Sequence, residues 1–183
     1  MENKNLILND FKLENATLEN EFIKISGYAA HYNRVNLNSE LVDANSFNYF
    51  FTLYNAKELK PHLTWQHEDI VIGGIDNVES RDKGLWMDAH LNTNVKIVAD
   101  MIAPNVLSGD IDSVSTEGFI RNGYEGIVEN SDGSYYVRDF ILTAISVVRN
   151  PADALAKFTV QNYIDDWKKQ QAESIKRKLY YFF

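Results

Sequence analysis

Two groups of residues in this sequence have the types and spacing that proton transfer and nucleophilic attack require. The first is four histidines, His31, His62, His67 and His90. The second is a run of hydroxyl side chains bounded by glycines, Gly109-Asp110-Ile111-Asp112-Ser113-Val114-Ser115-Thr116-Glu117-Gly118-Phe119. A serine or threonine hydroxyl becomes a competent nucleophile when an imidazole within hydrogen-bond reach takes its proton. His67 is the histidine best placed to do so, because it lies where an apolar strand pattern ends against two acids, Glu68 and Asp69. Side chains alternate along a strand, so Ser113 and Ser115 share one face and Thr116 points from the other. Taken singly, each feature has an ordinary reading: a packed or surface histidine, and a strand face rich in Ser and Thr.

Other chemistries fail on spacing. His62 and His67 stand five apart, which is not the His-Glu-x-x-His helical pair of a metalloprotease. Asp110-x-Asp112 opens like a calcium loop, but its sixth position is Ser115 instead of Gly and its twelfth is Arg121 instead of Glu. Gly73-Gly74 has neither a following helix start nor the Lys-Ser/Thr of a phosphate loop. With no cysteine in the chain, disulfide frameworks, thiol catalysis, iron–sulfur clusters and cysteine-bound zinc are excluded. No metal and no cofactor is expected.

The elements that must position these residues are mostly strands. Phe22–Ala30 is rich in β-branched and aromatic residues, and Leu63–His67, Ile70–Ile75 and Leu85–Leu91 are short strands separated by turn residues. Ser113–Arg121 follows, then a hairpin around Asp132-Gly133, then the longest strand signal, Tyr135–Val148, ended by Pro151. Two helices are inserted. From Asp43 the positions Phe47, Phe50, Phe51 and Tyr54 recur at helical spacing, and a second helix begins near Thr93, packs Ile97, Val98, Met101 and Ile102, and breaks at Pro104. The class predicted is α+β, mostly β.

The chain has 183 residues with 45% hydrophobic and 24% charged side chains, enough for one domain with a real core. Residues 1–19 read as a polar, flexible arm, 20–160 as the domain, and 161–183 as a basic amphipathic helix with Ile164, Trp167, Ile175, Leu179 and Phe182 along one stripe. The net charge is −8, and that tail carries five Lys and Arg against three Asp and Glu, so the remainder is more acidic still. Such a balance opposes non-specific nucleic-acid binding. No stretch approaches the roughly 20 apolar residues of a membrane span, and no signal peptide is visible, so an intracellular address is expected. Asn15-Ala16-Thr17 is then a chance match to a glycosylation acceptor.

Several segments, in order, resemble the caudovirus prohead proteases, which are related in fold to the herpesvirus assemblins. Gly27-Tyr28-Ala29-Ala30-His31-Tyr32-Asn33 is similar to the family's opening strand, and Val42-Asp43-Ala44-Asn45-Ser46-Phe47 to its first helix start, without the usual Pro and Gly. Thr64-Trp65-Gln66-His67-Glu68 followed by Ile72-Gly73 resembles the segment that carries the catalytic histidine. Lys83-Gly84-Leu85-Trp86-Met87-Asp88-Ala89 resembles the strand before the second helix, and Leu107–Ser115 the approach to the nucleophile. No one motif is specific; their order over Ile25 to Phe158 is.

The resemblance implies an assemblin-like, closed or partly closed β-barrel and a serine endopeptidase that cleaves scaffold, the capsid protein's amino-terminal arm and itself. Its partners would be the major capsid protein and scaffold, its place the assembling prohead in the host cytoplasm, and a homodimer is one option. His67 takes the role of general base. Val114-Ser115-Thr116-Glu117-Gly118 fits the branch reading Val-Ser-x-x-Gly, which makes Ser115 the nucleophile, with Thr116 and Ser113 as alternatives. Backbone amides near Gly118 are then placed to meet the oxyanion.

The sequence departs from the family at the third catalytic member. The final strand usually carries a Glu, or an Asp two positions later; here those positions are Ala144 and Ser146. Loss of the acid in a Ser-His-Asp system costs on the order of 10⁴ in rate. Since the assemblins use a second histidine, His31 and His90 are candidates for the vacant role. The rival reading is an inactive capsid-assembly or scaffolding protein on the same fold.

Overall fold

The computed structural model describes residues 22–160; the arm at 1–19 and the basic helix expected at 161–183 lie outside the described residues. Within them are β1 (Phe22–His31), β2 (Arg34–Val35), β3 (Glu40–Val42), α1 (Asn48–Asn55), β4 (His62–Trp65), β5 (Glu68–Arg81) and β6 (Gly84–Asn92). There follow α2 (Ala103–Ser108), β7 (Ser113–Ile120), β8 (Ile127–Glu129), β9 (Tyr135–Val137), β10 (Phe140–Val148) and β11 (Phe158–Val160). The predicted mostly β class holds.

Seven strands form one sheet in the order β11-β1-β6-β5-β4-β10-β7, and four short ones form another, β2-β3-β9-β8. All pairings of the large sheet are antiparallel except β4 with β10, which run parallel and so bring two segments far apart in sequence side by side. The sheet curls into a half-barrel, and its two edges meet at one corner. There Ser113 bridges Lys157, Val114 N–H donates to Ala156 O at 2.9 Å, and Phe158 N–H donates to Asp112 O at 2.8 Å. A Cβ on Gly27 would lie 2.1 Å from Lys157 O, so β1 needs glycine for its close approach to the same segment. Lys157 Nζ also donates to Asp112 Oδ2 at 2.6 Å, and that hydrogen bond holds the Asp112 carboxyl below its ordinary pKa.

Strand alternation builds the core. Ile23, Ile25, Leu63, Ile72, Leu85, Met87, Leu91 and Ile145 are buried on the inner faces, together with Phe47 and Phe50. The helix expected from Asp43 begins as a 3-10 turn, Ala44–Phe47, that passes into α1. Asp43 caps it reciprocally: its Oδ1 accepts from Ser46 N–H at 3.0 Å while Ser46 Oγ accepts from Asp43 N–H at 3.0 Å.

Two expectations are corrected. Pro104 does not break the second helix; a π turn over Val98–Ile102 runs into α2, and Pro104 sits in the first turn of the α segment, where its missing N–H is tolerated. The signal at Tyr135–Val148 is two strands, β9 and β10, in different sheets, separated at Asp139, whose φ is +49°. β5, at 14 residues, is longer than either.

Candidate active site

β4 ends at Trp65 and β5 begins at Glu68, so a two-residue turn, Gln66-His67, carries the histidine. Both residues have positive φ, +52° and +60°, as the mirror-image hairpin turns require. Neither is Gly, Asn or Asp, and left-handed backbone costs such residues on the order of 1–2 kcal/mol each. β10 holds the turn: Gln66 N–H donates to Val147 O at 3.1 Å and His67 N–H to Ser146 Oγ at 2.9 Å. Strain held in place by surrounding contacts is a recurring property of functional residues.

The parallel pairing of β4 with β10 and the antiparallel pairing of β10 with β7 set Thr64, Ser146 and Ser115 in one cross-strand row. Thr64 Oγ1 and Ser146 Oγ are 2.6 Å apart. Glu117, two residues beyond Ser115, shares its face of β7. Its Oε1 accepts from Thr64 Oγ1 at 2.9 Å and from Ser146 Oγ, and lies 3.4 Å from His67 Nδ1. Hydroxyls on two strands and the imidazole thus converge on one carboxylate oxygen.

His67, Ser115, Thr116 and Glu117 line a cleft of about 720 Å³. Ser115 is only 7% exposed, whereas the His67 side chain is 47% exposed, so the serine forms the floor and the imidazole stands at the rim. Thr116 pairs with Ile145, on the opposite face of β7 from Ser115. Ser113 is not among the cleft residues; its Oγ donates to Asp112 Oδ1 at 2.7 Å.

The other histidines fall elsewhere or are engaged. His31 lines the same cleft, but its Nδ1 and its backbone N–H each lie 2.8 Å from Asp153 Oδ2. His90 pairs with Asp76 at 2.7 Å, packs its ring on Phe22 and is not a cleft residue; nor is His62. Ala144 is the direct cross-strand partner of Glu117. Sequence reasoning passed over Glu117, although its place two residues after Ser115 puts both on one strand face.

The curled, mostly β fold is similar to those of solved viral proteases. The capsid assembly protease of bacteriophage T4 superposes with a TM-score of 0.55 at 18% identity, over 70% of this chain and 82% of that one. The KSHV protease, solved with a hexapeptide phosphonate inhibitor, superposes with a TM-score of 0.52 at 8% identity, over 77% of this chain and 65% of that one. The chain belongs to the caudovirus prohead serine protease family, whose sequence model matches residues 10–176. No curated protein matches it in sequence.

Proposed function

We propose that this chain is a serine endopeptidase of prohead maturation, with Ser115 as nucleophile and His67 as general base. The observation that carries this reading is that both residues line one cleft while Ser146, the cross-strand partner of Ser115, accepts the His67 N–H. Ser115 Oγ attacks the scissile carbonyl carbon as its proton passes to the imidazole. Collapse of the tetrahedral adduct breaks the C–N bond, and the imidazolium returns the proton to the leaving amine. Water then repeats the sequence on the acyl-enzyme and frees Ser115.

Family membership supports scaffold, capsid protein and the chain itself as substrates, and the assembling prohead as the place of action. The rival, an inactive assembly protein, draws on Ala144 and Ser146 in the two positions where an acid is expected. Co-expression with the matching capsid protein and scaffold separates the two. Intact-mass spectra should show cut products with wild type and none with Ser115→Ala. Identical uncut masses from both would remove the peptidase reading.

A further inference from the structure

We infer that Glu117 is the positioning residue for His67, the acid having moved from β10 to the nucleophile's own strand. This inference rests on the peptidase reading above and adds the third member to it.

The geometry is that of an acid displaced by one strand. Residue 144 is where the family's Glu would stand, and here it is alanine, paired across the ladder with Glu117. Directly opposed residues of an antiparallel pair hold their Cβ atoms about 4.5–5.5 Å apart on the same face. A carboxylate on either backbone therefore reaches the same point. The small Ala144 leaves that point to the Glu117 side chain, whose Oε1 stands 3.4 Å from His67 Nδ1.

That separation is longer than a formed hydrogen bond, as is common before substrate tightens a site. A carboxylate at Nδ1 keeps the neutral imidazole's proton there, which leaves Nε2 bare to take the serine proton. It also stabilises the imidazolium that follows. Thr64 and Ser146 both donate to the carboxylate oxygen that faces the imidazole, and Ser146 accepts from the His67 amide as well, so both partners are referred to one hydroxyl. His31 and His90 are each occupied by an acid of their own, Asp153 and Asp76.

The test uses an alkyl fluorophosphonate on the full chain. The Ser115 Oγ–P bond forms, P–F breaks, fluoride leaves, and the serine proton goes to His67. Labelling at Ser115 is read by mass spectrometry, giving kinact and KI separately. Glu117→Gln keeps the side chain's size and its contacts with Thr64 and Ser146; kinact should fall by roughly 10³- to 10⁴-fold with KI unchanged. The exchange variant Glu117→Ala/Ala144→Glu returns the carboxylate to the family's position with side-chain volume conserved, and should recover kinact by at least about tenfold over Glu117→Ala. A merely structural Glu117 would lower thermal stability in step with labelling and would gain nothing from the exchange.

Wild-type labelling with an unchanged kinact for Glu117→Gln overturns this inference and leaves the peptidase reading standing. A folded exchange variant that labels no faster than Glu117→Ala also overturns it. If the exchange variant does not fold, the kinact of Glu117→Gln decides alone. Absence of labelling in wild type removes the peptidase reading and this inference together.

Discussion

The backbone N–H of His67 donates to the side-chain oxygen of Ser146 at 2.9 Å, which ties the turn that carries the imidazole to β10, the strand that pairs Ser146 with Ser115. Ser146 is fully buried and also donates to Glu117, so one hydroxyl bonds both the histidine's backbone and the Glu117 carboxylate. Ser146→Ala leaves the His67 N–H without that acceptor and removes one of the donors to Glu117. A lost buried partner costs about 1–3 kcal/mol, and displacement of a catalytic group by about 1 Å costs on the order of 10² in rate. Fluorophosphonate labelling of Ser146→Ala should therefore slow by about two orders of magnitude with Ser115 still present, and its denaturation midpoint should drop. An unchanged labelling rate would mean that the turn is held well enough by Gln66 N–H alone.

The Gln66-His67 turn holds two non-glycine residues in left-handed backbone, a strain that the proposed role of His67 accounts for and folding does not. Asparagine enters left-handed backbone more readily than histidine. The half-exposed imidazole gives up little buried surface when replaced. His67→Asn should raise stability by about 0.5–1 kcal/mol and abolish labelling at Ser115, as read by thermal unfolding beside the fluorophosphonate assay. A loss of stability would show that the imidazole's contact with Glu117 outweighs the strain of its backbone.

What the sequence made legible follows physical range. The ordered motifs, the histidine at a strand end, the face shared by Ser113 and Ser115 and the Asp132-Gly133 hairpin are all local, set by period-2 alternation and turn residues within a few positions. The division of Tyr135–Val148 was not legible, because Arg138-Asp139 contains neither Gly nor Pro although Asp139 takes φ +49°. Nor was the π turn that lets Pro104 follow without breaking the helix. Glu117 was hidden for a longer-range reason. Its pairing with Ala144 depends on a register shift between Leu142 and Ala144, which moves every later partner by one. A shift of that kind is a property of two strands together.

The corner where the sheet edges meet should respond to acid. Asp112 has a pKa lowered chiefly by its hydrogen bond from Lys157, against an ordinary aspartate value of 3.8. A carboxyl with a lowered folded pKa binds its proton less readily than it does in the unfolded chain. Its stabilisation is complete above the ordinary value and is lost as pH falls through the lowered one. Urea midpoints measured at about pH 5 and about pH 3 should therefore differ more for wild type than for Asp112→Asn. Equal differences would mean that Lys157 and Asp112 contribute nothing to the corner's stability.

Glycines at two positions separate packing from backbone freedom. A Cβ on Gly118 would lie 2.0 Å from the carbonyl oxygen of Ile141 and 2.9 Å from its carbon, so β7 and β10 must part to accept it. Gly118 follows Glu117 directly and pairs with Leu142 beside the register shift, so the displacement falls on the carboxylate that faces His67. Overpacking of this kind costs about 1–3 kcal/mol. Gly133 meets nothing within 4 Å of an added Cβ, but its φ of +81° penalises any side chain. Gly133→Ala should cost about 1 kcal/mol and leave Ser115 labelling at the wild-type rate. Gly118→Ala should lose stability and labelling together, and matched labelling in the two variants would show that the strand pair around Glu117 yields without disturbing the site.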